Sequence, residues 1–399
     1  MKRLLLFFLL SAALLASSGS NVSASDKDAS PKYVFLFIGD GMGMTHVCAT
    51  ESYLAYKDGC GSRLTMSGFP YFGFCTTFSA DADVTDSSAA GTAIACGEKT
   101  NNGYVGVDPE GKPLESMAYV FKDRGYQIAL LSNVPVNHAT PASFYARNRS
   151  RSDYYDIASQ ISQTGFDFFA GSGILDVRGR KKDKEPMDEY LTDKGYPVCY
   201  GVEEFDAKAD AADRIVFCQA SSREDGTGNY VSDGKKVKDI TLAEMLQLGL
   251  DFVDTDEPFF FMCEGGNIDW DSHANKLMPM VADVMEFDKA ISVAFEFYKE
   301  HPDETLIVVT ADHETGGLTL GSRRHHIDWA TLEGQWEQSG FRNVLSEEDN
   351  AALNDRCSVS WSTGGHTGTY VPVFSVGVNA ERFSGRMDNT ELKSKIINP

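Results

Sequence analysis

The sequence predicts a three-layer α/β/α fold around a mostly parallel central sheet, on three observations. Apolar, β-rich runs recur along the chain without alternating polar residues, as expected of strands covered on both faces. Helical stretches separate these runs, the order that builds an α/β sheet. Polar and charged residues follow several of the runs directly, where such sheets collect their ligands beyond the strand ends. At 399 residues, 42% of them hydrophobic and 24% charged, the chain can bury a sizeable core.

The elements follow in chain order. Lys2 and Arg3 precede an apolar run from Leu4 to Ala16, and Val22-Ser23-Ala24 closes the segment. This reads as a signal peptide over residues 1–24, cleaved after Ala24. The run of about 13 residues falls short of the ~20 that a spanning helix needs, and the C-terminal end is polar, so no membrane anchor is expected. A mature chain outside the cytoplasm, periplasmic or secreted, is the expectation. Residues 25–399 read as a single domain.

Within it, the strand candidates are Tyr33–Ile38, Tyr126–Leu131, Phe259–Met262, Thr305–Thr310 and Tyr370–Val376. Helical stretches run from Leu114 to Arg124, Thr241 to Val253 and Pro279 to Tyr298. Two polar, turn-rich segments, 171–238 and 323–360, read as surface insertions.

Charge and cysteine content narrow the function. With 36 Lys and Arg against 58 Asp and Glu, the chain carries −22, which argues against a general nucleic-acid binder. A small anionic substrate remains compatible where metals or a local arginine reverse the field. Eight cysteines include no C-x-x-C pair, so a zinc ribbon is not expected. Cys199 and Cys218 are a plausible local disulfide in an oxidising compartment, whereas Cys96 and Cys263 read as buried thiols.

Residues able to do chemistry stand at the strand ends. Asp40 lies between Gly39 and Gly41, where small neighbours admit an ion. Asp269 and His273 are spaced i,i+4, so on a helix both point to one side and together can hold a zinc. Asp271 points elsewhere. Asp312-His313 follows a buried strand, and both reach one metal only if the backbone turns sharply, which Gly316-Gly317 would allow. His366 sits among glycines. Asp86-Ser87 opens a run of small residues that looks like a helix start; Ser87 reads either as a cap or as a hydroxyl facing an anion at the helix N-terminus. It has no G-x-S-x-G setting, so activation by a metal is the expected alternative to a Ser-His-Asp triad. Arg147, Arg149 and Arg151 form a local basic cluster, any one of which could clamp an anionic group.

Taken together, the chain resembles the alkaline phosphatases. The resemblance rests on Phe37-Ile-Gly-Asp-Gly-Met-Gly43, Thr85-Asp-Ser87, His138-Ala-Thr-Pro141, Glu264-Gly-Gly-Asn-Ile-Asp269, Thr310-Ala-Asp-His313 and Gly365-His-Thr-Gly368, in that order. It implies that Ser87 is the nucleophile and forms a phosphoserine. It further implies that Asp269, His273 and His366 hold one zinc and that Asp40, Asp312 and His313 hold a second. A third site, usually magnesium, would take Asp40, Thr140 and Glu264. Arg151 would bind phosphate.

Two positions vary in the family. His138 stands where some members carry Asp, which bears on the identity of the third metal. Trp270 stands where others carry Lys or His, which bears on phosphate binding and product release; the resemblance implies substrate-binding roles for both. The resemblance also implies small phosphate monoesters and inorganic phosphate as ligands, alkaline pH, and a homodimer. A related metal-dependent phosphodiesterase is the alternative, and a non-catalytic binding protein the reading from another class. His46, His301, His325 and His326 match no ligand position and read as structural or surface residues.

Overall fold

The computed structural model describes residues 30–225, 239–341 and 345–398. The leader and its cleavage point therefore lie outside the described residues, as do parts of both proposed insertions.

Ten strands form one sheet. In chain order these are β1 (Tyr33–Gly39), β2 (Tyr71–Thr76), β3 (Gln127–Ser132), β4 (Phe168–Gly171), β5 (Val198–Tyr200), β6 (Ile215–Cys218), β7 (Phe259–Gly265) and β8 (Thr305–Thr310), with β13 (Val371–Gly377) and β14 (Gly385–Asp388). Four short strands lie apart: β9 (Glu314–Thr315) pairs β12 (His366–Thr367), and β10 (Leu318–Leu320) pairs β11 (Val359–Trp361). The order across the main sheet is β14-β2-β13-β8-β1-β7-β3-β4-β6-β5. Every neighbouring pair is parallel except those made by β13, which runs against both β8 and β2. The expected fold class is what forms.

Both faces of the sheet are covered. On one, Phe35, Phe37, Phe259 and Phe261 pack under Phe287 and Phe297 of helix Leu277–Glu300. On the other, Phe260 meets Phe121 and Phe144 of helices Met117–Asp123 and Ala139–Tyr145. Neighbouring strand residues point to opposite faces, so an unbroken apolar run feeds both layers at once. Complete burial of β1, β7 and β8 follows.

Segment 171–238 departs from its expectation as a surface excursion. Val198–Tyr200 and Ile215–Cys218 extend the main sheet at one edge, as β5 and β6. Their apolar runs are only a few residues long and lie between polar turns, which hides them in the sequence. The suggested Cys199–Cys218 disulfide is also corrected, since both are free thiols. Cys199 pairs in register with Phe217, and Tyr200 with Cys218. One register step therefore sends the two thiols to opposite faces. Cys96 and Cys263 are buried, as expected. Segment 323–360 contributes helices Trp329–Gln338 and Glu347–Arg356 and strand β11. Among the described residues no helix is long and apolar enough to cross a membrane.

Candidate active site

The central strands deliver the site. Parallel register lines up the ends of β8, β1 and β7, so Asp312, Asp40 and Glu264 converge from three neighbouring strands. None of the three has exposed surface. Gly41 has φ +72, and a Cβ there would come within 2.9 Å of the Asp269 backbone, so only glycine allows this approach. Asp312 Oδ1 accepts the N–H groups of Gly41 at 3.1 Å and His313 at 2.9 Å, which locks the turn after β8. His313 Nε2 then lies 3.3 Å from Asp40 and 3.2 Å from Asp312.

Asp269 and His273 share one side of helix Asn267–His273, with Nε2 to Oδ2 at 3.2 Å. His366 Nε2 is 3.2 Å from His273 Nε2 and 3.6 Å from Asp269, and its ring stacks on His313 at 3.5 Å between centroids. Asp269, His273 and His366 therefore lie side by side. The donor atoms within 4.8 Å of one another are those of Asp269, His313 and His366 and those of Asp40, Asp312 and His313, so His313 is shared between the two groups. The second nitrogens are oriented: His273 Nδ1 toward Gly364 O at 2.7 Å, His366 Nδ1 toward Thr85 O at 2.8 Å. The third set, Asp40 and Glu264, includes His138 among donor atoms within 4.8 Å of one another. The Thr140 hydroxyl is fully buried in the adjoining helix Ala139–Tyr145.

Ser87 is the first residue of helix Ser87–Cys96 and is buried. The cap is Asp86, whose side chain accepts from Ala89 N, so the Ser87 hydroxyl is released from capping. Its Oγ lies 3.2 Å from His313 Nε2. Of the three clustered arginines, only Arg151 enters the site. Arg147 is held by Leu114 O and Tyr145 O, and Arg149 by Glu110 O. Arg151 Nη1 donates to Asp86 at 3.0 Å, and Nη2 stands 3.4 Å from His138 Nε2. Trp270 packs edge-on against His138, with centroids 5.5 Å apart.

Electrostatics show what the cluster lacks. Burial, followed by repulsion from neighbouring carboxylates, pushes Asp40 and Asp312 well above the usual range. Burial pushes Glu264 up to about 7. For Asp269 burial acts the same way, but the hydrogen bond from His273 and the nearby imidazoles outweigh it and hold the carboxyl low. Asp269 in turn raises His273 to about 9. Burial keeps His313 neutral and, with Arg151, takes His138 down to about 3. Both oxygens of Asp40 and one oxygen of Asp312 are buried without a well-formed hydrogen bond, and Thr140 has no partner other than Glu264. Buried carboxylates left so cost several kcal/mol each. Divalent cations would offset that cost, and the donor set of carboxylate oxygen and neutral imidazole suits zinc, with an oxygen-rich corner for magnesium.

Several supporting residues were not singled out in the sequence. Thr315 donates to Asp269 Oδ1 at 2.5 Å and lies 3.2 Å from His313 Nδ1. Ser132 donates to Glu264 Oε2 at 2.5 Å. Asp86 anchors Arg151 as well as the helix. His46 proves to be fully buried, kept neutral by burial, and 3.1 Å from Ser272 Oγ. Only the short spacing of Thr315 from His313 hinted at any of these. His301, His325 and His326 stand apart from the site residues.

Carboxylates and imidazoles gathered at the carboxyl end of a parallel sheet, beside a helix-borne hydroxyl, define a metal-dependent hydrolase. The chain belongs to the alkaline phosphatase family, whose model matches residues 31–170 and 178–398. Alkaline phosphatase 3 of Bacillus subtilis is 28% identical, covering 92% of this chain and 88% of its own. The human tissue-nonspecific isozyme is 28% identical over 89% of this chain and 80% of its own. Among solved structures, alkaline phosphatase from the Antarctic bacterium TAB5 is 30% identical, with a TM-score of 0.76, covering 92% of this chain and 98% of that one. A cold-active alkaline phosphatase from Shewanella gives 0.78 at 28% identity, over 91% and 98%. A TAB5 variant with one histidine replaced by glutamate is described with Mg bound in its M3 site. The chain is accordingly an alkaline phosphatase, a hydrolase of phosphate monoesters with metal sites.

Proposed function

We propose that this enzyme hydrolyses phosphate monoesters of broad structure at alkaline pH, through a phosphoserine on Ser87. The observation that carries the reading is the placement of the Ser87 hydroxyl, at a helix N-terminus and 3.2 Å from His313. Asp269, His273 and His366 would hold one zinc, and Asp40, Asp312 and His313 the second. Asp40, Thr140 and Glu264 would hold a magnesium, with His138 beside it. When bound, the zinc ions supply Lewis acidity that lowers the pKa of a hydroxyl or water and neutralises developing negative charge.

The chain's own residues do the rest. Ser87 Oγ gives up its proton and attacks phosphorus in line with the ester oxygen; that P–O bond breaks, and the leaving oxygen takes up a proton and departs as the alcohol. A water then attacks the phosphoserine phosphorus, the Ser87 Oγ–P bond breaks, the hydroxyl is restored and inorganic phosphate is released. Arg151, steadied by Asp86, would hold two non-bridging oxygens bidentately, and the first N–H groups of helix Ser87–Cys96 would take the third. Trp270 and His138 flank that anion and would set how readily phosphate leaves. Because recognition centres on the phosphoryl group, the alcohol is left free to vary.

His138, whose imidazole lies among the donor atoms of Asp40 and Glu264, is read as the residue that tunes the third metal here. We further propose that residues 1–24 are an export signal, that 25–399 fold as one catalytic domain acting in the periplasm or medium, and that the enzyme is a homodimer. An exported chain beginning at Ser25 and sedimentation at twice the chain mass are the expected results; an uncleaved chain or a monomer would contradict these points.

The test of the activity pairs p-nitrophenyl phosphate with bis-p-nitrophenyl phosphate, with and without EDTA. Rapid hydrolysis of the monoester at alkaline pH, lost on chelation and restored by zinc, is expected. Turnover of the bis-ester alone would overturn the proposal in favour of a phosphodiesterase.

A further inference from the structure

Glu314 takes no part in the ligand sets, yet it touches the segments that carry them. It follows His313 directly, is buried, and forms strand β9 with Thr315. Strand β9 pairs antiparallel with β12, setting Glu314 opposite Thr367 and Thr315 opposite His366. Glu314 Oε2 accepts the Thr367 hydroxyl. Oε1 accepts the N–H groups of Gly317 at 2.9 Å and Leu318 at 3.3 Å. The stem presses on the turn beyond Asp40, where a Cβ on Gly43 would come within 2.2 Å of Glu314 Cγ. His46 Nδ1 lies 4.0 Å from Oε1, and its Nε2 reaches Ser272, the residue before His273.

The turn that Glu314 closes is itself tied to the His366 loop. Gly316 N donates to Gly365 O at 2.9 Å, and Ser362 N to Gly316 O at 3.0 Å. Gly316 and Gly317 have φ +90 and +59, and a Cβ on either would strike Trp361 or Ser362. Strand β12 is only two residues long, so its own ladder cannot fix an imidazole. A charge-assisted bond from a buried carboxylate to the neighbouring side chain can.

We propose that Glu314 is a positioning residue that clasps Thr367 and thereby holds His366 at the zinc site it shares with Asp269 and His273. The inference rests on the reading of His366 as a ligand. Glu314 acts through backbone and side-chain anchoring of β12, without touching substrate. Loss of the clasp should loosen one zinc and spare the other, because Asp40, Asp312 and His313 follow closely on the buried strands β1 and β8 and their turn is locked separately, by Asp312 Oδ1 accepting the N–H groups of Gly41 and His313.

The test follows zinc release from the zinc-loaded enzyme into excess EDTA. Glu314→Gln and Thr367→Val are each expected to speed the loss of one ion by about tenfold, the size of a typical outer-sphere effect, and to leave the second unchanged. Thr367→Ser, which keeps the hydroxyl, should return to the wild-type rate. Thr367→Val removes the clasp and a 3.2 Å contact with the exposed Thr369 hydroxyl but leaves Glu314 in place, so it gives an answer even where Glu314→Gln fails to fold. His366→Ala marks the phase that belongs to this site. Wild-type release in Thr367→Val, or equal acceleration of both ions, would overturn the clasp while leaving the ligand reading intact. Unchanged release in His366→Ala would instead remove the ligand reading, and the clasp with it.

Discussion

The floor of the site and its rim are built by different means. Asp40, Glu264 and Asp312 stand at the ends of three adjacent parallel strands, every residue of which is buried, and the three share that burial. At the rim, the His273 side chain is 39% exposed and that of His366 14%. One ends a seven-residue helix and the other lies in a two-residue strand. Floor geometry is thus inherited from sheet register and cannot shift unless the sheet does. Rim geometry depends on a few hydrogen bonds, which makes it the place where affinity and exchange can be tuned.

Ser87 lies between the two regions, and its removal separates chemistry from metal binding. Ser87→Ala, which removes the proposed nucleophile, is expected to lower kcat by up to about six orders of magnitude, comparable to deleting the nucleophile of a serine hydrolase. Metal content, measured by atomic emission, should stay at the wild-type level. A variant that loses its metals as well would mean that the hydroxyl also holds the floor and rim together.

Substitutions of ligands sharpen the contrast directly. Asp312→Ala removes a floor carboxylate together with the turn it caps, and activity should not return at any added zinc concentration. His273→Ala, which removes a proposed direct ligand, should weaken zinc binding by more than the ~10–100-fold typical of an outer-sphere change, with activity recovered in excess zinc. Titrating zinc into each chelated variant checks the pair. Recovery of the floor variant alone would reverse the assignment of rigid and tunable halves.

A smaller effect concerns pH. A buried carboxyl with a raised pKa binds its proton more tightly folded than unfolded, so it costs stability as pH rises. For Glu264, at about 7 against an ordinary 4.5, that loss falls between those two values. EDTA-treated enzyme should therefore lose on the order of 3 kcal/mol from this group as pH rises across that window. If zinc and magnesium fill the sites proposed for them, the stabilisation they give should grow over the same range. Urea unfolding of the chelated and loaded forms at each pH is the measurement. A chelated form equally stable at both ends would mean the floor does not carry this strain.

The same division governs what could be read from the sequence. Uninterrupted apolar runs ending in Asp40, Glu264 and Asp312-His313 revealed both the parallel core and the residues at its ends, because burial on two faces leaves a plain compositional mark. The i,i+4 spacing of Asp269 and His273 held for the same reason, as helical geometry is local. Strands β5 and β6 escaped because three- and four-residue runs between polar turns resemble loops. Arg151 could not be separated from Arg147 and Arg149 by spacing, since the choice is made by Asp86, a residue 65 positions away. Thr315, Ser132 and Glu314 act only through partners brought up by the tertiary fold, and their side-chain types are common in turns.

The central claim is a pair of metal ions flanking one hydroxyl. Anomalous diffraction at the zinc edge from crystals of the zinc-loaded enzyme tests it most directly. Two peaks are predicted, about 4 Å apart, one among Asp269, His273 and His366 and the other among Asp40, Asp312 and His313, with Ser87 Oγ beside them. A single peak, or zinc bound away from Ser87, would contradict the account.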